Sequence, residues 1–171
     1  MTLILALKCA TPQGEAVLVC ADSKATVYGQ IAYRVQKIFP IALNPDTKKE
    51  VDLAIAAGAG NESMVRHAVR LAEKEFVELA EKEWKGIHPS FGQFESAVER
   101  IEDKLVEKLA KWKENGLDIS LSTVLCGVDL GGKASIYVFD NLGLGRAVHD
   151  TPGFACIGSG FVTGGNMILQ Q

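Results

Sequence analysis

Val51-Asp-Leu-Ala-Ile-Ala-Ala-Gly-Ala-Gly60, followed at once by Asn61-Glu-Ser-Met-Val65, is the stretch that decides how this chain folds. Up to Ala57 it reads as an apolar strand, and the small residues Gly58-Ala59-Gly60 read as the turn that ends it. Asn61 then has the right side chain for a helix N-cap, because its oxygen can accept the orphan N–H groups of a first turn. Beyond it the apolar spacing becomes helical. Val65, Val69, Ala72, Phe76, Leu79 and Ala80 make the stripe of a long amphipathic helix whose other face is Glu and Lys.

Working outward, Pro89 and the capping-box pattern Ser90-x-x-Gln93 announce a second helix. Its stripe is Phe94, Val98, Ile101, Leu105, Leu109 and Trp112, and Gly116 suits its C-terminal stop. Before the helices, Leu3 to Lys8 and Glu15 to Asp22 read as strands around the turn Thr11-Pro12-Gln13-Gly14, and Ala32 to Ile41 reads as a third. After them, strands are expected at Ser120–Val128, Ala134–Phe139, Gly143–Val148 and Phe154–Gly158, and Phe161–Gln171 could open a helix. Strands in blocks around two helices lack the alternation a parallel doubly wound sheet requires. The order predicts a single α+β domain over 1–171, with two antiparallel sheets face to face and helices outside in α-β-β-α layers.

The 171 residues, 47% hydrophobic and 23% charged, suit one globular domain. The net charge of −3 and the lack of a long Lys/Arg run argue against a nucleic-acid binder. Lys104, Lys108, Lys111 and Lys113 could form a basic face, but the Glu and Asp residues between them make a solvated, ion-paired surface the better reading. No stretch approaches the ~18 apolar residues of a membrane span, and the opening residues do not form a signal peptide, so the expected compartment is the cytoplasm. Cys9, Cys20, Cys126 and Cys156 stand singly in apolar runs and read as small core residues. His67, His88 and His149 show no metal-ligand spacing.

Chemistry could start at the amino terminus. If Met1 is removed, Thr2 carries a hydroxyl nucleophile and an α-amine base on one residue, the amine having an ordinary pKa of about 7.7–8.0. Farther on come Cys20-Ala-Asp22-Ser-Lys24-Ala-Thr26, then Val35-Gln-Lys37-Ile-Phe-Pro-Ile41, the glycine-rich Ala56–Gly60, the paired helices, and Gly158-Ser159-Gly160. In this order and at these separations, the features resemble the proteasome β-type subunits, which are N-terminal-nucleophile hydrolases, over almost the whole chain.

That resemblance implies Thr2 as nucleophile, Asp22 as the buried acid and Lys37 as the lysine beside the nucleophile. A cationic Lys37 would favour a neutral amine and a developing alkoxide, and Asp22 would hold it in place. The resemblance also implies a backbone oxyanion donor near Ala57, and Ser159 as a hydrogen-bond partner of the Thr2 amine. Ala25, Val35, Ile55 and Ala59 would line an apolar specificity pocket. No metal or organic cofactor is implied. The implied substrate is peptide or unfolded protein, the implied assembly is a ring of like subunits, and an ATP-driven unfoldase is a possible partner. Family subunits continue past Gly-Ser-Gly through further helices and strands, so a C-terminal truncation is expected here. Two alternatives stay open, a non-catalytic scaffold subunit and an amidase or transpeptidase of the same superfamily.

Overall fold

The computed structural model describes residues 2–27, 31–43, 51–85 and 87–160. The described residues are α+β, with antiparallel sheets and two long helices. The strands are β1 (Ile4–Thr11), β2 (Gly14–Ala21), β3 (Lys24–Val27), β4 (Ile31–Arg34), β5 (Ile38–Leu43) and β6 (Val51–Gly60). After helices α1 (Glu62–Lys82) and α2 (Phe91–Glu114) come β7 (Leu121–Val128), β8 (Ala134–Phe139), β9 (Gly145–Ala147) and β10 (Phe154–Ile157). One sheet runs β10-β1-β2, another runs β5-β6-β7-β8-β9, and β3 pairs with β4 as a separate hairpin.

Both helices begin where local chemistry places them. Asn61 accepts from the Ser63 and Met64 N–H groups, and Ser90 and Gln93 complete a reciprocal capping box. Gly116, with φ +76°, follows the Asn115 C-cap in the left-handed region that glycine reaches without strain. The helical stripes close a core against the five-stranded sheet, in which Phe76 lies edge-on to Phe94 and Trp84 at 5.1 and 5.7 Å between centroids. Burying one such ring contributes about 1.5–3 kcal/mol. A second core fills the space between the sheets, with Ile4, Ala6, Ala155 and Ile157 facing Ala57, Ala59, Val124, Cys126 and Ile136.

Three local expectations change. The strand expected at Ala32–Ile41 is interrupted at Val35–Lys37, its two ends belong to different sheets, and β3 is an additional short strand. The presumed turn Gly58-Ala59-Gly60 continues β6 in register with β7, Gly58 opposite Thr123 and Gly60 opposite Leu121. Cys9 is only partly buried and Cys20 is exposed, because strand alternation turns both away from the inter-sheet core; Cys126 and Cys156 are buried as expected. α1 and α2 both lie on the five-stranded sheet, so the described residues form helix, sheet and sheet layers. The helix expected from Phe161 lies outside the described residues. Among those described, no helix is long and apolar enough to cross a membrane.

Candidate active site

The break between β4 and β5 gives Lys37 its position. Outside a regular ladder, its side chain is free to turn inward, and only 7% of it remains exposed. Its Nζ donates to Asp22 Oδ2 at 2.8 Å, to the Lys24 carbonyl at 2.5 Å and to Thr2 Oγ1 at 3.3 Å. Three acceptors around one ammonium satisfy its three donors and fix its direction. A buried cation without such partners would lose several kcal/mol of hydration unrecovered.

Asp22 stands just past the end of β2. Its Oδ1 accepts from the Leu3 N–H at 2.7 Å, its Oδ2 also accepts from the Lys24 N–H at 3.2 Å, and its own N–H donates to the Leu3 carbonyl at 3.1 Å. Burial raises the carboxyl pKa, but the Lys37 hydrogen bond, the Leu3 and Lys24 N–H groups and the Lys37 charge outweigh it, so the pKa falls below its ordinary value. The carboxylate therefore ties the residue just before β1 to the ammonium. It is ionised at neutral pH.

Thr2 is clamped from the other side by the segment after β10. Its N–H donates to Ser159 Oγ at 2.8 Å, and its carbonyl accepts from the Gly160 N–H at 2.8 Å. Lys37 and Ser159, which the sequence singled out at separations of up to 157 residues, thus meet at Thr2, and Asp22 joins them through Lys37 and the Leu3 N–H. The hydroxyl faces the ammonium, while the nitrogen faces the Ser159 hydroxyl.

The remaining expected positions divide. Val35 and Ala59 line a small cavity of about 50 Å³ with Thr2, Lys37, Gly58 and Val65. Ala57 is 1% exposed and turns its side chain into the inter-sheet core; it is Gly58 that lines the cavity, with its N–H donating to the Lys37 carbonyl at 3.2 Å. Ile55 lies farther back along β6, opposite Pro40 and Cys126, on a separate cavity of about 300 Å³. Ala25 is in β3, and its side chain lies outside the described residues.

A larger cavity of about 590 Å³ opens on the Ser159 side of Thr2, where Ser120, Ser122, Asp140 and Asn141 share its wall. No residue pattern along the chain announces this wall. Asp140 to Gly143 announces a turn, and nothing local connects it to residue 2. The main-chain partners of Lys37 and Asp22 were equally hidden, since backbone groups leave no residue-type signature. Cys126 is no rival nucleophile, because burial pushes its thiol pKa up to about 12. Among the described residues no group of three or more His, Cys, Asp or Glu side chains is placed to hold a metal. Compared with models of known protein families and with curated proteins, the sequence matches neither.

Proposed function

We propose that this chain is a threonine-type N-terminal-nucleophile hydrolase of the proteasome β kind, cleaving peptide bonds with Thr2 once Met1 is removed. The observation that carries the reading is the Lys37 ammonium, held by Asp22 at 2.8 Å and directed at the Thr2 hydroxyl at 3.3 Å. A buried cation aimed at a hydroxyl favours the alkoxide that the hydroxyl becomes.

Loss of Met1 turns the Thr2 N–H into a primary amine at the same place, next to Ser159. In the amine form it takes the hydroxyl proton, directly or through one water, as Thr2 Oγ1 attacks the substrate carbonyl carbon. Backbone beside Ala57 supplies the oxyanion donor, and we assign it to the Gly58 N–H, which lines the cavity and exchanges its long 3.2 Å bond to the Lys37 carbonyl for the oxyanion as charge develops. As the carbon–nitrogen bond breaks, the leaving nitrogen takes the proton from the Thr2 ammonium, and an ester remains on Oγ1. Water, deprotonated by the same amine, then attacks the ester. The acid departs and the hydroxyl is restored.

On this reading the domain has the four-layer fold of that superfamily, the acyl-side pocket includes Val35 and Ala59, and the subunit works on peptide or unfolded protein in a ring of like subunits. Intact-mass measurement before and after an epoxyketone probe, which must capture both the hydroxyl and the free amine of a terminal Thr, tests the chemistry. A Met1-less protein that gains one probe, with the gain abolished in Thr2→Ala, supports the nucleophile. A retained Met1 leaves Thr2 with an amide that has no basic lone pair, and the inert scaffold becomes the better reading.

A further inference from the structure

The larger cavity beside Thr2 is placed by the two reacting groups on that residue. Thr2 lies on the boundary between the two cavities. The small one holds Lys37, on the hydroxyl side, and the large one holds Ser159, the partner of the Thr2 nitrogen. In acyl transfer by a terminal Thr, the group that receives the proton from the nucleophile must return it to the leaving nitrogen. The leaving part of the substrate must therefore lie on the side of the Thr2 nitrogen. That side is the 590 Å³ cavity.

The wall chemistry restricts what fits there. Ser120, Ser122, Asn141 and Ser159 present hydroxyls and an amide, and Asp140 is the single charged side chain among the described lining residues. Asp140 Oδ1 accepts from the Leu142 and Leu144 N–H groups at 2.8 and 3.2 Å, which fixes the turn after β8 and holds the carboxylate at the cavity. Oδ2 has no partner among the described residues, so it is available to a ligand. With no cation among the described lining residues to neutralise it, the carboxylate attracts a positive side chain and repels a negative one.

We propose that this cavity binds the leaving-group side of the substrate and selects a basic residue immediately after the cut, with Asp140 as the specificity-determining residue. The proposal rests on the Thr2 hydrolase reading.

The test digests a peptide mixture randomised at every position with the Met1-less protein and identifies residues at newly made N-termini by mass spectrometry. Lys and Arg should exceed Asp and Glu there by about two- to fivefold, the range of a partly exposed charge pair, and added salt should narrow the ratio. Asp140→Asn keeps the turn-forming oxygen and removes the charge, so the enrichment should vanish; Asp140→Lys should invert it. Each readout is a ratio within one digest, independent of overall rate. No basic enrichment in the unmodified protein, or an enrichment unchanged in Asp140→Asn, overturns the cavity's role even if Thr2 takes the epoxyketone. If Thr2 fails to take that probe, the hydrolase reading itself falls and this proposal with it.

Discussion

A Cβ added at Gly158 would stand 2.4 Å from the carbonyl oxygen of Thr2 and 3.2 Å from its Cγ2. Gly158 also has φ +95°, in the region L side chains rarely enter. The position is therefore closed to side chains on two independent grounds, steric and conformational. Gly158→Ala should push Thr2 away from Ser159 and lower stability by about 1–3 kcal/mol. Thermal unfolding measures the stability loss, and epoxyketone labelling should fall at least tenfold, because a displacement of about 1 Å at a reacting group is enough for that. A variant that labels normally would show that Thr2 does not depend on this contact.

Lys37 and Asp22 should fail in different ways. Lys37→Ala removes the cation at the hydroxyl and leaves the Asp22 carboxylate partly solvated, so the fold should survive while labelling drops by about 10²-fold or more. Asp22→Asn leaves the buried ammonium without its anionic partner, which should lower both stability, by about 1–3 kcal/mol, and labelling. Lys37→Arg should not rescue, since a planar fork cannot point single N–H groups at the same three acceptors. Equal labelling in Lys37→Ala and the unmodified protein would remove the ammonium from the mechanism.

The acid limb of stability carries the same pair. Asp22 has its folded pKa lowered from 3.8, so its contribution is present above that value and is lost as pH falls through the lower folded value. Glu15, lowered first by the Lys8 hydrogen bond, acts in the same direction. Melting temperature should be level near neutrality and fall below about pH 4. The drop should shrink in Asp22→Asn, which starts lower at neutral pH. Parallel curves for the two proteins would mean the Asp22 pKa is not lowered by folding.

How much of this was visible in the sequence follows from how local each interaction is. The caps at Asn61 and Ser90–Gln93 close within about four residues, so their residue types declare them. Thr2, Asp22, Lys37 and Ser159 are far apart in sequence, and only their resemblance to a known pattern assembled them. The resemblance grouped Ile55 with Val35 and Ala59, but five residues of strand before Gly60 cover about 16 Å and carry Ile55 to another cavity. The interruption at Val35–Lys37 was hidden as well. An apolar run looks continuous even where its two halves join different sheets.

Glu75 gives a prediction independent of the site. Its side chain is 1% exposed between α1 and α2, where Lys104 Nζ contacts Oε1 and Arg100 Nε lies 3.5 Å from Oε2. Oε2 has no hydrogen-bond partner among the described residues, so the carboxylate depends mainly on Lys104. Lys104→Ala should therefore leave a buried anion under-compensated and lower stability by about 1–3 kcal/mol, even though the lysine itself is half exposed. Glu75→Met removes that anion and fills the same space with apolar atoms, so it should cost less than Lys104→Ala or nothing. Combined with Lys104→Ala it should also abolish the lysine's effect. Chemical denaturation of the three variants decides: if Glu75→Met proves the more damaging single change, the ion pair stabilises the helix pair outright.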